Sequence, residues 1–153
     1  MFRKLQSNKT RLVAEQADWV HSVDRIKIAQ RLSDQRPTNL PPLNICLQVN
    51  VSGEASKSGV APGELQTLAA ALLSLPRLRL RGLMAIPEPE ADPVLQRRPF
   101  ALLRDLQRQL SAAGILTDTL SMGMSSDMAA AIAEGATLVR IGTAIFGQRD
   151  YEK

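Results

Sequence analysis

Apolar residues fall into two kinds of segment along this chain: short runs typical of strands and longer stretches with helical spacing. Residues 43–51 (LNICLQVNV) form a nearly continuous apolar run with β-branched members, and residues 78–86 (LRLRGLMAI) form a second run that stops at Pro87. Between them, four leucines from Leu65 to Leu75 recur at intervals of three and four, which is the spacing of one helix face. The pattern therefore predicts buried strands that alternate with helices.

The same reading extends over the whole chain and predicts four consecutive strand–helix units followed by a closing strand. The predicted elements are helix 9–16, strand 19–23, helix 25–33, strand 43–51, a helix from 62, strand 78–86, a helix around 100–110, a strand leading into Ser121, helix 129–133 and strand 138–142. Such regular alternation is typical of an α/β domain with a parallel sheet. A chain of 153 residues is long enough for one domain with its own core, so we predict a single domain over residues 1–153. Periodicity alone leaves open whether the sheet is a closed barrel or an open sheet.

Polar and glycine residues gather where the last strands end. Residues 121–126 (SMGMSS), called the serine loop below, carry small and hydroxyl side chains that leave backbone N–H groups free to meet an anion. Asp127 follows directly and would repel a phosphate. Gly142 and Thr143 offer a bare backbone and a hydroxyl at the end of the closing strand, although a Gly-Thr pair in this place is more often a plain turn. Active sites of parallel α/β folds assemble at the carboxyl ends of strands.

Arg140 lies inside the predicted closing strand, between aliphatic residues. Alternation places it on one face with Leu138 and Gly142, and a buried guanidinium needs a partner. It therefore either pairs with a carboxylate of the fold or points towards a ligand at the end of the strand. The sequence does not choose between these two roles.

Composition and the rarer residues exclude several classes of function. The net charge of +4 is compatible with nucleic acid, but the arginines are dispersed and aromatic residues make up only 3% of the chain, so we expect no nucleic-acid partner. Cys46 lies within an apolar run as an inert core thiol, and we expect no metal site. His21, the single histidine, favours a structural hydrogen bond over catalysis because no neighbour in sequence completes an acid–base pair. No run has the length or composition of a membrane span or signal peptide, so we expect a cytoplasmic protein.

Five segments in order, LQSNK, QVNVSGEASKSG, LRLRGLMAIP, LSMGMSSDM and LVRIGTAIFG, resemble the pyridoxal phosphate homeostasis proteins, the YggS/PROSC-like family. The resemblance runs from Leu5 to the C-terminus. It implies a (β/α)8 TIM barrel of the alanine racemase N-terminal domain type, of which this chain would supply the C-terminal part with about five strands. It also implies binding of pyridoxal 5′-phosphate (PLP) as a Schiff base, in a carrier that buffers and delivers the cofactor without established catalysis.

The resemblance assigns roles to five residues. Ser121 with Gly123, and Gly142 with Thr143, match the phosphate-holding positions of the family. Arg140 matches the arginine that faces the pyridine nitrogen of PLP. An arginine in that place keeps the ring nitrogen unprotonated and weakens the ring as an electron sink, which suits a carrier better than an enzyme. We therefore expect no catalytic residues.

The chain also departs from the family pattern. Nothing in it corresponds to the family's first βα units, including the strand that carries the Schiff-base lysine. Only Lys57 lies in a loop on the expected ligand side, and a solvated loop cation is its more common role. Two alternatives therefore stay open: a fragment of a PLP-dependent racemase- or decarboxylase-like enzyme, and a fragment that binds no ligand.

Two kinds of protein partner follow from this reading. A carrier of PLP would deliver it to apo PLP-dependent enzymes. We also expect self-association, because strands 19–23 and 138–142 would be open edges and the inward faces of strands 43–51 and 78–86 would expose apolar surface.

Overall fold

The computed structural model describes residues 5–54 and 57–147, in which helices and strands follow one another in the predicted order. The elements are a 3-10 helix at Ser7–Lys9, α1 (Thr10–Gln16), β1 (Trp19–Val23), α2 (Ile26–Gln35), β2 (Leu43–Gln48), a 3-10 helix at Pro62–Glu64, α3 (Leu65–Leu72), β3 (Leu78–Met84), α4 (Pro93–Ala112), β4 (Thr119–Ser121), α5 (Met128–Ala133) and α6 (Thr143–Phe146). The α/β class predicted from the periodicity is confirmed.

Four strands form one sheet in the order β1-β2-β3-β4, and every neighbouring pair is parallel. β1 has the predicted bounds, whereas β2 and β3 end a few residues earlier than the apolar runs do. Val49, directly after β2, forms an isolated bridge with Val60. The apolar run therefore extends beyond the end of β2, and Val60 pairs with its continuation.

One face of the sheet packs against the helices and contains the hydrophobic core. Each strand contributes a buried aliphatic side chain to this face: Val20, Ile45, Leu83 and Leu120. The leucine spacing noted in the sequence supplies the other side of the core. The buried helix residues of this cluster include Ile28, Leu32, Leu65, Ala69, Leu72, Phe100, Leu103, Leu106 and Leu110. Full burial of one leucine, isoleucine or phenylalanine side chain stabilises the fold by about 1.5–3 kcal/mol.

The fifth predicted strand, residues 138–142, is the main error of the sequence analysis. Within residues 5–54 and 57–147 it is reduced to one parallel bridge between Leu138 and Ser121. The ladder stops there because β4 is only three residues long and the chain turns at Gly123, whose φ is +97°. The backbone N–H of Arg140 consequently bonds the carbonyl of Gly123 at 2.9 Å, beyond the end of β4.

The other face of the sheet carries polar side chains. Near the amino ends of the strands, the Arg81 guanidinium lies 4.6 Å from the centroid of the Trp19 ring. The same guanidinium donates to Asn44 at 3.2 Å and pairs with Asp118 at 2.7 Å. This cluster closes one end of the inward face.

The sheet is strongly curved towards this polar face. His21 on β1 and Ser121 on β4 are separated by two strands, yet His21 Nδ1 and Ser121 Oγ are 2.8 Å apart. In a flat sheet three strand spacings of about 4.8 Å would keep these strands roughly 14 Å apart, with their side chains side by side. Only a curved sheet lets the two side chains converge.

The expectation of exposed apolar surface on the inward faces of residues 43–51 and 78–86 is wrong for β2 and β3 themselves, whereas Ile86, beyond the end of β3, is 39% exposed. Cys46 and Met84, which alternate with core residues and therefore face inward, are fully buried. The most exposed apolar side chain of the described chain is instead Phe146 of α6, at 84%. The inward sides of β2 and β3 are thus polar or covered, and the strongly exposed apolar side chains, such as Leu73, Val94, Leu116 and Phe146, lie outside the sheet.

Gly82 is a point at which β3 and β4 approach too closely for a side chain. A Cβ there would overlap the carbonyl oxygen of Thr119 and lie 2.6 Å from its carbonyl carbon. We expect Gly82→Ala to lower the free energy of unfolding by about 3 kcal/mol or more, because backbone atoms cannot yield as side chains do. Urea unfolding followed by circular dichroism measures the change.

The matched control is Gly63→Ala, because an added Cβ at Gly63 meets no atom within 4 Å. We expect a change within about 1 kcal/mol for this variant. Equal stabilities of the two variants would show that β3 and β4 are not packed as described.

Candidate functional site

The predicted site residues divide into a buried group and an exposed group. Ser121 and Arg140 are buried, at 0% and 7% exposure, and Gly123 is buried beside them. Gly142 and Thr143 are exposed at the start of α6. The structure therefore brings three of the five residues into one cluster at the carboxyl ends of β3 and β4.

Arg140 ties the ends of these two strands together. Its Nη1 donates to the carbonyl of Ser121 at 2.9 Å and to Ser121 Oγ at 2.8 Å, and its Nη2 donates to the carbonyl of Ala85 at 2.9 Å. Burial lowers the pKa of this guanidinium from its usual value, while the charge of Asp127 acts in the opposite direction. An arginine remains charged in proteins, so the strand-end oxygens stabilise a buried positive charge.

His21 completes this cluster, and the hydrogen bond predicted for it is confirmed, with Ser121 as the partner. Its Nδ1 lies 2.8 Å from Ser121 Oγ, so the hydroxyl is held between the imidazole and the guanidinium of Arg140. Burial, and then the positive charge of Arg140, lower the pKa of His21 below its ordinary value. His21 and Ser121 are 100 residues apart, which is why no pattern of neighbouring residues identified the pair. Ser121 ends β4, whereas His21 lies in the middle of β1.

Gly123 shapes the serine loop. Its φ of +97° lies in the region that favours glycine, and a Cβ at this position would lie 2.6 Å from Cβ of Ala131 in α5. The absence of a side chain thus allows the loop to pack directly on α5.

The serine loop offers fewer free backbone donors than we expected. The N–H of Met122 bonds the carbonyl of Leu138 at 3.0 Å, and that of Met124 bonds Asp127 Oδ1 at 2.6 Å. For the N–H groups of Gly123, Ser125 and Ser126, no acceptor occurs among residues 5–54 and 57–147.

A buried hydroxyl adds to this set. Ser125 Oγ is shielded from solvent and has no hydrogen-bond partner in the described part of the chain. Three backbone donors and an unsatisfied buried hydroxyl, all within residues 123–126, are the kinds of group that bind a tetrahedral oxyanion. This arrangement fits a phosphate group.

Gly142 and Thr143 do not join the cluster through hydrogen bonds among the described residues. The carbonyl of Gly142 accepts from Ile145 and Phe146 at 3.0 and 2.9 Å, and that of Thr143 accepts from Gly147 at 3.0 Å, which are bonds of α6 itself. A Cβ added to Gly142 would meet nothing within 4 Å. The surroundings of these two residues are thus open.

The remaining candidates have structural or solvent-exposed roles. Burial raises the pKa of the Cys46 thiol to about 12, which agrees with an inert core residue. Lys57 forms an ion pair with Glu88, and this hydrogen bond raises the pKa of its ammonium group. A lysine that forms a covalent bond to a carbonyl carbon needs the opposite shift. No group of three or more His, Cys, Asp or Glu side chains placed to hold a metal ion occurs among the described residues.

An acidic cleft adjoins the serine loop. Its lining includes Glu88, Glu90, Ser126 and Asp127. These carboxylates make the cleft a poor place for a phosphate, although Ser126 of the serine loop is part of its lining. No helix of the described chain is long and apolar enough to cross a membrane.

Comparison with known proteins finds close relatives. A pyridoxal phosphate homeostasis protein of Pseudomonas aeruginosa is 67% identical over 147 residues, which are 96% of this chain and 63% of that protein. PipY of Synechococcus elongatus, solved without PLP, superposes with a TM-score of 0.87 at 38% identity, over 96% of this chain and 69% of that chain. PipY with PLP bound gives a TM-score of 0.86 at 37% identity over the same shares. The chain thus spans somewhat under two thirds of the length of the Pseudomonas protein.

A more distant structure shows the architecture. Alanine racemase of Clostridium difficile superposes with a TM-score of 0.79 at 12% identity, over 99% of this chain and 42% of the racemase, which is a likeness of fold alone. The curved parallel sheet with helices on its outer face is therefore part of the (β/α)8 barrel that the resemblance implied. The expectation of a partial barrel is confirmed. The described part of the chain contains four of its strands, whereas about five were expected. The sequence model for the N-terminal domain of alanine racemase matches residues 2–150, and together with the close relatives this shows that the chain belongs to the alanine racemase N-terminal domain family.

Proposed function

We propose that this chain binds pyridoxal 5′-phosphate through the serine loop and takes part in intracellular PLP homeostasis as a cofactor carrier. The observation that carries the proposal is the set of donors on one loop: the N–H groups of Gly123, Ser125 and Ser126 and the buried hydroxyl of Ser125. Relatives named pyridoxal phosphate homeostasis proteins, and the PipY structure with PLP bound, support PLP as the phosphate ester.

The other parts of the ligand would meet different residues. Ser121 and Gly123 lie at the phosphate end, and Gly142 and Thr143 would close the phosphate site from the side of α6. Arg140 would face the ring nitrogen, as the family resemblance implies, because its guanidinium is anchored at the strand ends beside the loop. When bound, PLP supplies an electrophilic aldehyde and an electron-accepting ring.

The chain's own residues favour carriage over catalysis. A positive charge fixed at Arg140 opposes protonation of a nearby ring nitrogen, and proton uptake there is what makes the ring a strong electron sink. Lys57 is engaged by Glu88, which keeps its ammonium group protonated and therefore a poor nucleophile. We therefore propose binding without a covalent link to a lysine of the described chain, in a cytoplasmic protein that serves apo PLP-dependent enzymes.

Ser125 gives the sharpest test of the phosphate site. Ser125→Ala removes one donor to the bound phosphate, and hydrogen bonds to charged groups contribute about 1.5–3 kcal/mol, so we expect PLP affinity to fall at least about tenfold. The free protein should be as stable as the parent or slightly more stable, because the lost hydroxyl was buried without a partner. Equilibrium dialysis with PLP and urea unfolding measure the two effects.

Ser111→Ala is the matched control, since Ser111 is exposed near the end of α4 and its Oγ bonds the carbonyl of Gln107 in the same helix. It should leave PLP affinity unchanged. Equal affinities of the Ser125 and Ser111 variants, or PLP that borohydride fixes to a lysine, would contradict the proposed mode of binding.

Arg140 can affect PLP binding in two ways: by direct contact with the ring, or only by holding Ser121 in place. Because Arg140→Gln removes donors from Ser121 and Ala85 in either case, loss of stability alone does not distinguish the two roles. We expect the substitution to reduce affinity for PLP about tenfold more than affinity for inorganic phosphate, since only PLP has a ring. Isothermal titration with both ligands gives the ratio, and equal losses would make Arg140 a residue that only positions the loop.

We also propose that the isolated chain self-associates. In the described chain, β1 has a neighbouring strand only on the side of β2, and Leu138 has one only on the side of β4. Unpaired strand edges favour pairing with another copy of the chain. Light scattering after size exclusion at micromolar concentration should give a mass above the 16.7 kDa of one chain. A single sharp peak at the monomer mass would refute this.

A further inference from the structure

The hydroxyl of Ser121 has one hydrogen and two neighbours that compete for its hydrogen-bonding capacity. Arg140 Nη1 lies 2.8 Å from Ser121 Oγ and can only donate, because a guanidinium has no acceptor. This bond therefore occupies an acceptor position of the oxygen. His21 Nδ1 lies 2.8 Å away on the other side and can either accept or donate.

The protonation state of His21 Nδ1 decides whether the Ser121 hydroxyl can donate a hydrogen bond to a ligand. If Nδ1 carries no hydrogen, Ser121 donates its only hydrogen to the imidazole, and nothing is left for a ligand. If Nδ1 carries a hydrogen, it donates to the second acceptor position of Ser121 Oγ, and the hydroxyl hydrogen is released. A fully ionised phosphate accepts hydrogen bonds and does not supply them, so a phosphate that contacts the Ser121 hydroxyl requires the second arrangement.

We propose that His21 is a positioning residue of the phosphate site, and that anion binding next to Ser121 requires His21 to carry a hydrogen on Nδ1. This inference rests on the proposed function for the identity of the ligand, but its geometry comes from the His21–Ser121–Arg140 contacts alone. We expect Ser121 to donate to His21 in the free protein, which places the hydrogen of the neutral ring on Nε2. Binding moves it to Nδ1 or adds a second proton to the ring.

The surroundings of His21 allow this change. Nε2 makes no hydrogen bond with any described residue, and the ring is only partly buried, so this nitrogen can exchange a proton with water. The groups that face the ring are the Ser121 hydroxyl, the cationic Arg140, the Trp19 ring at 5.8 Å and, on the adjoining strand, the neutral thiol of Cys46. Burial and Arg140 keep the free ring neutral, and an anion bound beside Arg140 would offset that repulsion.

The direction of the pH effect follows from linkage. The ligand prefers the form with Nδ1 protonated, and the doubly protonated ring always has that hydrogen, so binding raises the pKa of His21. Affinity for an anion of constant charge should therefore increase as the pH falls, by at most about tenfold per pH unit, between the pKa values of the bound and free states.

Nitrogen-15 NMR of the ring tests the proposal without any substitution, because His21 is the only histidine. In the free protein at neutral pH, the shift and couplings of Nδ1 should be those of an unprotonated nitrogen. Saturating inorganic phosphate should convert Nδ1 to the protonated type. A hydrogen on Nδ1 in the free protein, phosphate binding that leaves Nδ1 unprotonated, or no response to phosphate would each overturn the proposal.

Two variants add an independent measurement with sulfate, whose charge is constant over about pH 5–8, the range in which histidine titrates. His21→Asn places an amide N–H near the position of Nδ1 as a permanent donor, so sulfate binding should persist and lose its pH dependence. His21→Leu removes the acceptor that competes for the Ser121 hydrogen, so sulfate binding should also persist without pH dependence. The same pH profile in the parent and the Asn variant would overturn the proposal.

Failure of PLP to bind, with a normal response of His21 to phosphate and sulfate, would refute the proposed function and leave the role of His21 standing. The reverse result, PLP binding with no change at Nδ1, would refute only the role of His21.

Discussion

The burial of the Arg140 guanidinium is the constraint on which the candidate site depends. A charge removed from water must find oxygen acceptors, and those of Arg140 include the carbonyl groups of Ala85 and Ser121, where β3 and β4 end. Charged hydrogen bonds of this kind contribute about 1.5–3 kcal/mol each. The need to solvate one side chain therefore fixes the relative positions of two strand ends, of the Ser121 hydroxyl and of the first residues of the serine loop.

This constraint also explains why the chain after α5 does not continue as a strand. The backbone of Arg140 bonds Gly123, and its side chain bonds Ser121, so both follow the turn of the serine loop past the end of β4. The curved sheet then brings His21 from β1 to the same hydroxyl. A position that looked like the middle of a buried strand is thus the point at which three parts of the chain meet.

Local patterns predicted most of the fold and only part of the site. Periodicity predicted the position of β1 and the buried faces of the helices. An element that is buried on one side has apolar residues at regular intervals in the sequence, as the leucines of α3 show. The end of the strand ladder depended on the φ of Gly123 and on its contact with Ala131, neither of which a periodic pattern contains. Likewise, the His21–Ser121 contact depends on the curvature of the sheet. The role proposed for Ser125 rests on a buried hydroxyl without a hydrogen-bond partner in the described chain, and a sequence pattern contains no such information.

The central claim is that the serine loop holds the phosphate group of PLP, and amide NMR tests it most directly. Amide spectra of the labelled chain titrated with PLP, and separately with pyridoxal, compare a phosphorylated ligand with its unphosphorylated parent. We predict that the N–H resonances of Gly123, Ser125 and Ser126 shift strongly with PLP and little with pyridoxal, because these three donors lack protein acceptors among the described residues. Equal shifts with both ligands, or shifts confined to the acidic cleft around Glu88 and Glu90, would contradict the claim.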